Sequence, residues 1–501
     1  MTLTFRESLP PDDHRGRAHP ALPTVVAPPR ESAGHRRDPA LDLLRFACLV
    51  VVVILHSMMS AAVLGPDGAV VPTVALSDTT GFAAASWLFQ VMPLFFIIGG
   101  ASGFFAWRRI RASGGTWADY LRARLRRLVA PVTVLIALAG IGLSAAAEIG
   151  VPTELITEAS HRIGQPLWFL AVYVGLTALV PVAVHVHDTA PRRALAVLAG
   201  AVIVVDALVA VTGVSGLGYL NFLLVWPLIQ QLGFFCAESL DRPVRRAFVW
   251  PVLAAALLVL AGLVASGVYS PNMLINLNPP TGALVLLGVV QMCGLRLLHA
   301  RLNRALTAGG GAATEAVTEA AAEPRILRAQ IWRRVIAWGN RYGMEVYLWH
   351  MSVVIVLIGE LGALAQTVSG LRSAAGPGIA EFVLPEIGSA WWWATRPVWL
   401  LAVMLLSALL AMAVNRIPFP TEQRLTAIGR HIPVLGPRAR AVTAVGAATT
   451  GIAIALLVGI APLGWTLTAV LLLIGALILA AGLSDRPGVS APSAGSSRRS
   501  L

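Results

Sequence analysis

Arg45 and His56 stand eleven residues apart inside a long apolar stretch that also holds Asp42 near its start. At about 100° per residue, eleven steps return a helix to within roughly 20° of its starting direction, so the two side chains share one face, roughly 16 Å apart along the axis. Arginine and histidine are costly in hydrocarbon and normally turn toward a bundle interior or a wet cavity, which makes this a candidate functional pair. Arg45 has a second reading as an anchor that snorkels to the cytoplasmic edge, but His56 lies too deep for that. Unperturbed imidazole titrates at about 6.5, so His56 could act as a general base, or as a nucleophile that takes a group and passes it on. Asp42, one turn before Arg45, either pairs with it or favours the helix start through the dipole.

The elements that must position these residues are membrane helices. The chain has 501 residues, 57% hydrophobic and 13% charged, with a strongly positive mean hydropathy, which excludes a soluble class. Apolar windows of about 20 residues predict an all-α polytopic transmembrane bundle of about twelve spans, near 42–64, 82–106, 128–148, 166–187, 194–214, 219–238, 248–268, 281–299, 343–363, 394–414, 441–460 and 465–483. The first run is too long for a cleaved signal peptide and lacks a cleavage site, so it is expected to be retained.

Charge placement supports this map. All 38 basic residues are arginine, and with the N-terminus inside they concentrate in alternate loops, leaving only Arg162, Arg372 and Arg396 on the other side. Both termini are therefore expected in the cytoplasm. The net charge of +13 is then a matter of topology and anionic lipid surface rather than nucleic acid. Exclusive use of arginine, with abundant Ala, Gly and Val, suggests a GC-rich bacterial genome and hence a bacterial cell membrane.

Residues 1–37 read as a disordered cytoplasmic arm, 309–325 as a flexible cytoplasmic insertion and 485–501 as a cytoplasmic tail, so any chemistry belongs to the membrane region. Cys48, Cys236 and Cys293 fall within spans without metal-ligand spacing, and neither a disulfide nor a metal is expected. Phosphate-binding Gly-Lys loops, HExxH, CxxC and GxSxG are absent. Gly99, Gly100 and Gly103 suggest a small-residue helix contact. Arg122, Arg124, Arg126 and Arg127 place four arginines in six residues. They serve either as topology anchors or as a clamp in which Arg122, Arg124 and Arg127 grip the phosphates of an acidic cytosolic donor. His350 lies about two turns into the ninth span from its cytoplasmic end, facing the donor side or bonded to a neighbouring helix. Trp168 reads as an interfacial anchor, and Glu148, Glu154, Glu158 and His161 as solvated loop charges or an acceptor-holding cluster.

Taken together these strings resemble the family-3 membrane acyltransferases. The matching residues are Asp42, Arg45 and His56, Pro93 to Phe96 with Gly99 to Gly103, Arg124 and Arg127, Leu167 to Leu170, and Tyr347 to His350. They follow the family's order over roughly residues 38–415. The resemblance implies a cytosolic acyl-CoA donor, commonly acetyl-CoA, with no permanently bound cofactor. It implies an acceptor hydroxyl outside the cell, on a carbohydrate, glycolipid or secreted metabolite. His56 would be the catalytic group, Arg45 would support it with Asp42, and Arg124 and Arg127 would contact the donor. The family core has about ten spans, so the two helices within 416–484 are additional. A proton-coupled transporter is the rival reading, but the internal repeats it predicts are absent. A scaffold that recruits partners through basic loops leaves Arg45 and His56 unexplained.

Overall fold

The computed structural model describes residues 38–66, 68–77, 79–307, 319–370, 378–431 and 436–483. Pro39 needs no hydrogen-bond partner at a first helical position, and the Asp38 carboxylate before it accepts from the Ala40 and Leu41 amides, so α1 (Pro39–Met59) starts there. It is followed by the strands β1 (Ser60–Leu64) and β2 (Val70–Val74), then α2 (Thr80–Phe89), α3 (Met92–Ala112), α4 (Trp117–Glu148), α5 (Thr153–Gly164), α6 (Leu167–Thr189) and α7 (Pro191–Thr212). A 3-10 stretch, Ser215–Leu223, leads into α8 (Val225–Ser239), α9 (Arg246–Ala265), α10 (Gly282–Thr307) and α11 (Glu319–Gly370). The chain continues with α12 (Gly378–Val383), α13 (Ala390–Val414), α14 (Glu422–Arg430), α15 (Pro437–Leu457) and α16 (Leu463–Ala481).

Among the described residues, 12 helical segments are long and apolar enough to cross a membrane, α2 with α3, α5 with α6, and the 3-10 stretch with α8 each counting as one. The polytopic helical bundle expected from hydropathy is therefore the fold. Three boundaries differ from expectation. The first span ends at Met59 rather than 64, because Ser60–Leu64 pairs antiparallel with Val70–Val74; the apolar run continues through the change, so hydropathy does not register it. Residues 153–164, expected as loop, form α5. The ninth span is part of a helix that starts at Glu319 rather than 343, so 319–325 is helical rather than a flexible insertion. The proposed arm 1–37, residues 309–318 and the tail 485–501 lie outside the described residues.

The small residues of the second span do lie at helix contacts. A Cβ on Gly100 would stand 2.6 Å from the Gln230 carbonyl oxygen, and one on Gly233 would stand 2.4 Å from that of Ile97. α3 and α8 thus meet backbone to backbone. The two helices beyond the family-like core are built into the bundle in the same manner. A Cβ on Gly164 of α5 would lie 2.8 Å from the Ala455 oxygen of α15, while the buried Ser160 hydroxyl accepts from the Ile460 and Ala461 amides in the α15–α16 turn.

Two acidic side chains close the helix ends outside the spans and inside them. Asp206 of α7 accepts from Asn221 Nδ2, from the Tyr269 hydroxyl and from the Gly282 amide that begins α10; burial and this carboxylate push the Tyr269 hydroxyl up. Asp38 also accepts from His299 Nε2 at 2.6 Å, which ties α1 to α10. Burial opposes ionisation of Asp38, but the hydrogen bond and charge of His299 outweigh it and hold the carboxyl below its usual 3.8.

Gly233→Ala is expected to destabilise by about 1–3 kcal/mol, since neither backbone can yield; Gly262→Ala, whose Cβ would meet nothing within 4 Å, is the control in thermal unfolding of the detergent-solubilised protein. For Asp38 the folded value lies below the unfolded one, so its contribution is present above about pH 4 and lost as pH falls through the folded value. The difference in Tm between the parent and Asp38→Asn should therefore be full above about pH 4 and shrink below it.

Candidate functional site

The site is strung along α1. Near its start, Asp42 Oδ1 lies 3.3 Å from Arg45 Nη1, and Asp42 Oδ2 accepts from Asn340 Nδ2 of α11 at 3.0 Å. Arg45 Nη2 donates to the Ser102 hydroxyl of α3. Both readings of Asp42 fit the structure: it pairs with Arg45 and lies in the first turn of α1, where the helix dipole favours a carboxylate. Ser102 belongs to the Gly99–Gly103 string. Its glycines pack α3 against α6 and α8, while Ser102 meets the arginine of α1.

His56 occupies the last turn of α1. Its ring is half-buried, and Nδ1 lies 2.8 Å from Nε2 of His350, with the two rings parallel to within 4°. His350 is fully buried, and its Nδ1 bonds the Tyr347 carbonyl one turn back on α11. The expectation that His350 sits two turns from a helix end is corrected: α11 begins at Glu319 and runs on to Gly370, so His350 is deep and level with His56. The turn that carries His56 is fixed from several sides. The Ser60 amide bonds the His56 carbonyl, the Ser57 hydroxyl bonds Val53 O, and Trp399 Nε1 of α13 donates to Ser57 O at 2.9 Å. Beyond it the β-hairpin follows α11 as far as Gly362, where a Cβ would meet Val70 at 2.8 Å.

Four of the five singled-out strings converge on this pair. Tyr347 donates to Pro166 O at 2.8 Å, and its ring stands edge-on to Phe169, 5.6 Å between centroids. Phe169 in turn meets Phe95 at 4.9 Å and Phe96 at 5.3 Å, and Phe96 stacks on Trp226 at 4.4 Å. Offset and edge-to-face contacts of this kind fill the space with apolar rings. Trp168 packs against Trp226 and Phe222 in the same cluster.

The arginines of α4 divide between two faces. Arg122 and Arg126, one turn apart, share the Glu422 carboxylate of α14 at 3.2 and 3.0 Å, and Arg122 also approaches Asp119. Arg122, expected on the donor, is thus engaged by the segment that leads to the last two helices. Arg124 lies over the buried Tyr120 ring, 5.4 Å to its centroid, and Arg127 interacts electrostatically with Glu345 of α11. One Glu345 oxygen is buried without a hydrogen-bond partner among the described residues. On α5, Glu158 pairs with Arg162 at 2.6 Å and His161 bonds Thr157 O within the helix, while Glu148 and Glu154 are exposed. Cys48, Cys236 and Cys293 are buried and unpaired.

Sequence reasoning missed Asp38, His299, Ser102, Asn340, Trp399 and Glu422. Ser102 lay within a singled-out string and Asp38 directly before a helix-starting proline, so both left a local signal. The others are polar residues on distant helices with none.

Residues 38–416 match the acyltransferase-3 family, described as an acyltransferase domain. No curated protein matches the chain, and no solved structure does. With well over half of its length matched, the chain belongs to the acyltransferase-3 family and is a multi-pass membrane acyltransferase.

Proposed function

We propose that this protein moves an acyl group, in the first instance acetyl, from cytosolic acyl-CoA to a hydroxyl presented on the opposite side of a bacterial cell membrane. The acceptor would be a cell-surface glycan, a glycolipid or a secreted metabolite, and both chain termini would lie on the cytoplasmic side. The reading is supported by one arrangement above all: on α1, Arg45 with its Asp42 and Ser102 partners lies near the helix start and His56, paired with His350, in its last turn. An anionic, phosphate-bearing donor suits guanidinium groups, which bind phosphate oxygens in pairs. Arg124 and Arg127, which lie toward Tyr120 and Glu345 rather than Glu422, are assigned to that contact. Arg45 would lie between donor site and histidine, oriented by Asp42 and Ser102.

In this mechanism His56 takes the proton of the acceptor hydroxyl as its oxygen attacks the thioester carbonyl. The new C–O bond forms, the C–S bond breaks, and the departing CoA sulfur recovers the proton from His56. A base of near-neutral strength fits this task because the thioester is already activated. The aromatic cluster of Phe95, Phe96, Phe169 and Tyr347 keeps water, a competing acceptor, away from the pair.

Membranes carrying the protein are expected to move labelled acetyl from acetyl-CoA into extracytoplasmic material, and His56→Ala at matched expression to abolish it. Failure of the parent with acetyl and longer donors across polysaccharide, glycolipid and small-molecule acceptors would sink the proposal. Arg124→Ala and Arg127→Ala should raise KM for acyl-CoA about 10-fold or more while sparing kcat, as lost ground-state binding does. Arg126→Ala, whose partner is Glu422, should change it far less.

A further inference from the structure

Neutral imidazole carries one proton on two nitrogens, so each ring of a histidine pair constrains the other. The Tyr347 carbonyl can only accept, so Nδ1 of His350 must donate to it. That leaves Nε2 of neutral His350 with a lone pair, and this is the atom 2.8 Å from Nδ1 of His56. Nδ1 of His56 must then carry its proton and donate it. The lone pair of His56 is thereby placed on Nε2, which has no hydrogen-bond partner among the described residues. The burial of the two rings agrees with this division, since His350 is 0% exposed and His56 half-buried.

From this chain of bonds we infer that His350 is a positioning residue for the transfer reaction: anchored by the Tyr347 carbonyl, it accepts from His56 Nδ1 and so fixes the His56 tautomer that presents a lone pair at Nε2. The inference rests on the acyl-transfer reading for its catalytic consequence, but the tautomer itself does not. His350 needs no proton of its own to lose during turnover. When Nε2 of His56 takes the acceptor proton, the resulting imidazolium remains bonded through Nδ1 to the His350 lone pair, and returning that proton to the leaving sulfur restores the starting state. An acceptor behind a catalytic imidazole is the role a carboxylate plays in hydrolase triads, where loss of the correct tautomer costs up to about 10⁴ in rate. Here a neutral histidine fills that role, as suits a site inside a bundle, where a carboxylate would carry a larger desolvation penalty.

Three variants separate positioning from mere support of the fold. His350→Gln places an amide oxygen near the position of Nε2, able to accept from His56, whereas His350→Ala removes the acceptor. We expect His350→Ala to lower kcat about 100-fold or more with KM for acyl-CoA changed no more than about twofold, and His350→Gln to recover to within about tenfold of the parent. Combining His350→Ala with His56→Ala should add nothing to the loss from His56→Ala alone, as residues acting as a unit behave. Gln as inactive as Ala at matched folding, or a loss residing in KM, would overturn the assignment. The second measurement is independent of activity: in protein carrying ¹⁵N-labelled histidine, the His56 ring should show a protonated Nδ1 and an unprotonated Nε2, and His350→Ala should release it to a mixture. An Nε2-protonated His56 in the parent refutes the inference even if acyl transfer is confirmed, and an Nδ1-protonated one sustains it even if no acyl donor is found.

Discussion

A polar side chain within a membrane bundle has no water to turn to, so it must find its partner on another helix. α1 shows this requirement along its whole length. Asp38 reaches His299 on α10, Asp42 reaches Asn340 on α11, Arg45 reaches Ser102 on α3, and His56 reaches His350 on α11. Even the free carbonyl of Ser57 in the last turn is met by Trp399 of α13. A rotation of α1 by one residue, or a slide of one turn, would break several of these contacts at once. Its register is therefore set by polar pairing, and the placement of Arg45 and His56 on one interior face follows.

Close backbone packing serves that same arrangement. Ser102 reaches Arg45 from a helix whose glycines let it lie against α8, and the aromatic rings of α3, α6 and α11 fill the space around Tyr347 and His350. Apolar rings here have two consequences. They surround the buried His350, whose two ring nitrogens meet the Tyr347 carbonyl and His56 Nδ1, and they close its side of the pair with apolar surface.

The helices beyond the family region are not a loose appendage. Glu422, in the segment that leads to them, binds Arg122 and Arg126, and the α15–α16 turn is fastened to Ser160 of α5. α4 is thereby held from outside by one pair of its arginines, while Arg124 and Arg127 remain on the side of Tyr120 and Glu345. A single cluster of four like charges is divided by its helical spacing into a pair on Glu422 and a pair on Tyr120 and Glu345.

What the sequence determined by itself is what a short window of chain can encode. Hydropathy over about 20 residues marks the spans, helical periodicity puts Arg45 and His56 on one face, and small residues in the second span mark a close contact. The early end of α1, the hairpin, the full extent of α11 and the helix over 153–164 escaped it, because hydropathy stays high across a change from helix to strand and says little about polar helix outside the apolar core. The partners escaped it for a different reason. His56 and His350 are 294 positions apart, Asp42 and Asn340 298, Ser57 and Trp399 342, and each residue alone looks like any other polar residue. Only the tertiary structure decides which of them meet, since a hydrogen bond in the bundle depends on helix register and rotation, which are settled jointly by all the packed helices and by none of them alone.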